Sequence, residues 1–255
     1  MRFASLGSGS GGNALLVEAG NTLILLDCGF GLAEVTARLA RIGLVPGDID
    51  AIIVTHEHDD HAGGVARLVR RHELPVYLTY GTLAALGGDR AALPEAVLID
   101  GHAPFAIGDI EVQPYPVPHD AREPVQFVLA DGAARLGVLT DVGAPTPYVA
   151  QMLSGLEALV LECNHDRAML EASAYPATLR ERIAGRFGHL ENAAAAQLLG
   201  ELDCSRLQHV IAGHLSQQNN TPELARAALA GALGCEAEWI GVATQDEGFT
   251  WRQIL

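Results

Sequence analysis

The sequence predicts a single α/β domain made of two similar halves. Three observations carry that prediction. Short apolar runs of β character recur from Arg2 to Gly213, amphipathic helical patterns are interspersed among them, and strand after strand ends in a polar residue. No Pro/Ser/Gly-rich linker or low-complexity block divides residues 1–255, and a chain of 255 residues that is 49% hydrophobic can fill a large core.

Taken in order, "RFASLG", "NALLVEA" and "TLILLDC" read as a meander of strands separated by glycine-rich or Gly-Asn turns. In "GLAEVTARLARIG", Leu32, Val35, Leu39 and Ile42 recur at helical spacing before Gly43 and Pro46 end the helix. "AIIVT", Ala51 to Thr55, is a wholly apolar strand that empties into "HEHDDH", with a helix beginning near Gly63. The second half repeats the plan. Strands "IEVQPYPVP", "VQFVLA", "RLGVLTD" and "ALVLECN", helices near Thr146–Leu153 and Asn192–Leu199, and strand "LQHVIAG" follow in turn.

Composition excludes several classes. Net charge is −15 and every one of the sixteen basic side chains is arginine, which does not suit a protein that coats nucleic acid through basic patches. The sum still counts ligand aspartates as free anions, so a polyanionic substrate is compatible with it. Cys28, Cys163, Cys204 and Cys235 form no CxxC pair and read as reduced thiols. Without a membrane-length apolar stretch or the apolar core of a secretory signal, the expected compartment is the cytoplasm, and no membrane partner is expected.

The chemistry concentrates at His56–His61. His56 and His58 alternate along an extended segment, so their imidazoles point the same way, and Asp60 and His61 follow where the chain turns toward the helix. Imidazole with carboxylate suits zinc, manganese or iron, and few protein ligands per ion leave positions open for catalysis. One loop does not complete two metal shells. His119 after "PYPVP", Asp141 ending "LGVLTD" and His214 after "VIAG" are the further candidates, each a polar residue closing an apolar strand.

With these motifs in sequence, the chain resembles the metallo-β-lactamase-fold hydrolases from Asp27 in "LLDCG" to His214. The resemblance implies a four-layer αββα sandwich of two mixed β-sheets with outer helices. It assigns His56, His58 and His119 to one ion and Asp60, His61 and His214 to a second, with Asp141 bridging and Asp27 supporting the site from behind. It thus implies two divalent ions per chain, zinc first, with manganese or iron as alternatives. "GSGSGGN", "ECNHD", "GHLEN" and "GHLSQQNN" resemble the YycJ/WalJ-like group of phosphodiesterases and exonucleases, although Glu191 stands where that group's GHLSN has serine and brings a negative charge.

The implied reaction is phosphodiester hydrolysis of nucleic acid or a small phosphodiester by a metal-bridging hydroxide, with no Ser or Cys nucleophile. Asp60 orients the hydroxide, and His189 or His165 assists the leaving group. Ser8, Ser10 and Asn13 of the glycine-rich segment offer hydroxyls and amides to a phosphate, a tight hairpin turn being the competing reading. The rival enzyme is a glyoxalase-II-like thioester hydrolase, disfavoured by the short stretch after His214. A non-catalytic metal-binding regulator is the rival from another class.

Overall fold

The computed structural model describes residues 1–87, 93 and 96–255. Among them, fourteen strands form two seven-stranded sheets. The first contains β1 (Arg2–Gly7), β2 (Ala14–Ala19), β3 (Thr22–Leu26), β4 (Ala51–Ile53), β5 (Val76–Thr79) and β6 (Ala96–Ile99). The second contains β7 (Phe105–Ile107), β8 (Ile110–Pro116), β9 (Val125–Ala130), β10 (Arg135–Leu139), β11 (Ala158–Glu162), β12 (His209–Gly213) and β13 (Gly241–Val242). The last strand, β14 (Phe249–Gln253), crosses back and pairs antiparallel with β1 at the edge of the first sheet.

The two halves share a plan. Each sheet begins with antiparallel hairpins and continues as parallel strands, β3 to β6 in the first and β10 to β13 in the second. Parallel neighbours need crossovers, which the helices supply. These are α1 (Leu32–Arg41), α2 (Asp59–Ala62), α3 (Val65–His72), α4 (Tyr80–Ala85), α5 (Pro147–Leu153), α6 (Arg167–Ala172), α7 (Ala177–Ile183), α8 (Asn192–Glu201) and α9 (Pro222–Leu233).

Side-chain alternation makes the layers. Along β3, Ile24 and Leu26 enter the core between the sheets while Leu25 points to the helices on the outer face. Likewise Val138 and Val160 face the inter-sheet core, and Leu139, Leu159 and Leu161 pack under α5, α8 and α9. Central strands covered on both faces read as unbroken apolar runs, which is why they were visible in the sequence. Each such aliphatic side chain contributes about 1.5–3 kcal/mol on burial. The result is the expected αββα sandwich, with α1 and α3 on one outside face and α5, α8 and α9 on the other.

One expectation shifts at the ligand segment. Instead of a plain loop followed by a helix near Gly63, Asp59–Ala62 already form the single turn α2, and α3 begins at Val65. Gly64 sits between them against the Asp27 loop, where a Cβ would lie 1.9 Å from the carbonyl oxygen of Phe30. No helix among the described residues is long and apolar enough to cross a membrane, and all four cysteines are free.

Candidate metal centre

The candidate site lies at the carboxyl ends of strands in both sheets, the parallel strands β4, β10 and β12 and the antiparallel β8. The end of β4 delivers His56, His58, Asp60 and His61; β8, β10 and β12 deliver His119, Asp141 and His214. Among the described residues, three groups have donor atoms within 4.8 Å of one another: His56, His58 and His119; Asp60, His61, Asp141 and His214; and a third, Asp141, Glu162, His189 and His214, that shares two members with the second. His56 Nε2 is 3.0 Å and His119 Nε2 is 3.3 Å from His58 Nδ1. Asp141 spans the groups, with Oδ2 3.0 Å from His61 Nε2 and Oδ1 3.9 Å from His119 Nε2 and 3.6 Å from His214 Nε2.

Donor–acceptor accounting fixes the ring tautomers. Thr55 Oγ1 donates to Asp27 Oδ2 at 2.9 Å, so at 2.9 Å from His56 Nδ1 it can only accept. His61 Nδ1 donates to Asp27 Oδ2 at 2.8 Å, and His119 Nδ1 donates to the Gly188 carbonyl at 3.1 Å. The Nε2 lone pairs of His56, His61 and His119 are thereby turned inward. Convergent imidazole lone pairs repel one another unless a cation lies among them, and Asp141 Oδ2, fully buried, has no aligned hydrogen-bond donor. The donor set therefore fits divalent metal binding.

Electrostatics separate the two groups. Burial, then the neighbouring His61, pushes His56 well below the ordinary imidazole range, and burial also lowers His119. His214 is the reverse: burial alone would lower it, but Asp141, Asp60 and Glu162 outweigh that and raise it to about 10. Burial would raise Asp60, yet its hydrogen bonds to His214 and His61 hold it well below the carboxylate range. The second group is thus rich in negative charge, where protons stand in for a cation.

Backbone strain marks the same positions. Asp27, Asp141 and His214 adopt positive φ angles of 61°, 52° and 53°, a left-handed conformation uncommon for residues with a Cβ. Each turns the chain sharply at a strand end, aiming the side chain across the sheet edge.

Of the residues expected to face substrate, the structure brings His189 to the metal groups and not His165. His189 Nδ1 lies 2.8 Å from Glu162 Oε1 and 3.5 Å from Asp141 Oδ1, and the side chain is 23% exposed. His165 is buried, with Nδ1 3.3 Å from Asn164 Oδ1 and its carbonyl accepting from Asn192 N. Ser8 and Asn13 are buried too. Ser8 Oγ accepts from His214 N at 2.8 Å, and Asn13 Nδ2 donates to the Asp60 carbonyl at 3.2 Å, so both brace ligand-bearing backbone. Ser10 alone of the three is exposed. Glu191 precedes α8 and lines a recess of about 400 Å³ beside His189 and His165.

Glu162 is the residue that motif reading left without a role. It is wholly buried, its Oε2 accepts from Val142 N and Leu190 N, and its Oε1 lies 3.3 Å from His214 Nδ1 as well as against His189. Burial would raise its pKa, but the imidazole of His189 and the hydrogen bonds from His189 and His214 lower it to about 2. The available signal was its place at the end of apolar "ALVLE", the pattern that singled out Asp141.

Comparison with known proteins agrees with this architecture. A profile for the Beta-lactamase superfamily domain matches residues 22–214. Exodeoxyribonuclease YycJ of Bacillus anthracis is 33% identical over 91% of this chain and 89% of its own length. Exodeoxyribonuclease WalJ of Streptococcus pneumoniae is 29% identical over 94% and 91%. Among solved structures, the metallo-beta-lactamase fold protein YhfI of Bacillus subtilis has a TM-score of 0.76 at 16% identity, covering 99% of both chains. The short form of human tRNase Z has a TM-score of 0.70 at 16% identity over the whole of both chains. With the profile spanning most of the chain and the relatives nearly all of it, the chain belongs to the beta-lactamase superfamily, in its YycJ/WalJ-like branch.

Proposed function

We propose that this chain is a dinuclear metal-dependent phosphodiesterase that removes nucleotides from nucleic-acid ends, working in the reducing cytoplasm. The observation that supports it most is the pair of donor groups joined through Asp141, one of three imidazoles and one carrying two carboxylates. The two similar exodeoxyribonucleases direct the choice of substrate class. Zinc suits the imidazole-rich first group, and manganese the carboxylate-bearing second.

His56, His58 and His119 would hold one ion and Asp60, His61 and His214 the other, with Asp141 shared; bound divalent ions there supply an acidified water and neutralise charge on a phosphoryl group. The chain's own side chains do the rest. Asp60, at 22% exposure the most open carboxylate of the set, orients the attacking water and relays its proton toward solvent. His189 donates Nδ1–H to the Glu162 carboxylate, which outweighs burial to raise its pKa and favours the protonated ring that a leaving oxygen needs. Asp27 and Thr55 lock the rings of His61 and His56.

Elemental analysis and a substrate panel test this. Two ions per chain are expected, with cleavage of end-labelled oligonucleotides and of bis(p-nitrophenyl) phosphate exceeding that of a glutathione thioester. A fully metallated protein holding a single ion, or one preferring the thioester, would overturn the proposal. Asp141→Asn, which keeps the shape and loses the charge, should cost the second ion and most of the activity while the fold persists.

A further inference from the structure

His189 stands between two recesses. The larger, about 400 Å³, presents Glu171, Glu181 and Glu191 against Arg167 and Arg180, and both arginines are already engaged with the Glu171 region. Three carboxylates against two guanidinium groups leave that wall net negative, which disfavours a polyanion. The smaller, about 210 Å³, runs between Ser10 of the glycine-rich turn and helix α7, and is lined by Tyr175, Leu179, Ile183 and Arg182 as well as His189. Its one acidic group, Asp120, is neutralised by Arg182 at 2.6 Å.

This smaller recess opens directly from the donor groups, since Asp120 Oδ1 lies 3.5 Å from His119 Nε2 and 4.0 Å from His58 Nε2. It is smaller than the ~300–1,000 Å³ clefts that enclose drug-sized ligands, so its occupant is a fragment. An aromatic ring, an aliphatic wall and neutralised charge suit the face of a single base, and Ser10 in the same lining offers a hydroxyl for a sugar or phosphate oxygen. The geometry points to Tyr175 as the stacking platform for the terminal base of a nucleic-acid strand, an assignment that rests on the phosphodiesterase reading above. A recess with room for one base takes an unstacked terminal base more readily than a base stacked within the strand, so Tyr175 favours termini. It touches the base, not the reacting phosphate.

The test uses the metallated full-length protein and single-stranded oligonucleotides whose attacked terminal nucleotide is either normal or abasic. Tyr175→Ala should lower kcat/KM on the normal end by about tenfold, mostly through KM, within the range base–aromatic stacking supports. It should change the abasic end little, and Tyr175→Phe should behave as wild type. Metal content and Tm of the variants should stay unchanged. Terminal 2-aminopurine behind a phosphorothioate linkage should be quenched on binding to wild type and to Tyr175→Phe, and not to Tyr175→Ala. If Tyr175→Ala keeps the wild-type ratio between normal and abasic ends, Tyr175 is not the platform. If the wild type cleaves neither oligonucleotide nor bis(p-nitrophenyl) phosphate with zinc or manganese, the phosphodiesterase reading itself fails and takes this assignment with it.

Discussion

His165 and His189 line one recess, yet their pKa values move in opposite directions because of what each touches. His189 faces the Glu162 carboxylate and is raised; burial pushes His165 down to about 4. Removing the first should separate metal binding from chemistry: His189→Ala should keep both ions and slow phosphodiester cleavage by roughly 10²–10⁴-fold, the usual worth of a placed acid. Metal analysis beside single-turnover rates checks it, and wild-type rates would reduce His189 to a structural role. For His165 the consequence is stability. Its folded pKa is below the unfolded value of about 6.5, so the unfolded chain takes up a proton first and the native state weakens as pH falls from about 6.5 through 4. The loss from this group is at most about 3 kcal/mol. Denaturant unfolding of His165→Gln should show a shallower decline over that window than wild type, and identical slopes would remove His165 from the acid response.

The ligand-bearing segment after β4 is held backbone against backbone by the β1–β2 turn and by the loop after β3. Asn13 N bonds to the Asp60 carbonyl, Cys28 N to the His61 carbonyl, and Gly64 N to the Cys28 carbonyl, at 2.7–2.8 Å. Close approach leaves no room for a side chain at Gly64. Gly64→Ala should therefore push the His56–His61 segment off the Asp27 loop, costing stability by about 1–3 kcal/mol as overpacking does, together with affinity for both ions. Thermal melts and metal titration would check it, and a variant with unchanged Tm and metal affinity would show the contact to be soft. The same contrast explains what could be read from sequence. Strands such as Leu136–Leu139 are buried on both faces, and the ligands terminate them, so both were legible as apolar runs closed by a polar residue. Helices α6 and α7 were not: α6 buries only Leu170 and α7 buries no residue, so no apolar stripe announces them. Yet α7 walls the recess beside His189. Glu162, the first residue of "ECNHD", has no role legible in the sequence because a lone acid at a strand end gains meaning only when the fold brings His189 and His214 to it.

Across the whole molecule, the first sheet supplies His56, His58, Asp60 and His61 and the second supplies His119, Asp141 and His214, so bound ions would tie the sheets together at one edge. Chelation should accordingly lower Tm, by an amount that grows with free metal concentration when metal is restored. Calorimetry with and without chelator reads this directly, and equal melting temperatures would mean the sheets need no such tie. The return of β14 to the edge of the first sheet adds a tie of another kind. The chain passes from one sheet to the other through the exposed turn at His102–Pro104, and its final strand reaches back to clasp the sheet it left. A break in that turn would yield two pieces, neither with a full ligand set, the second carrying its own hook for the first. The fold is in effect a closed buckle. Such pieces should find each other on mixing, and the return of two bound ions would report that the buckle had shut.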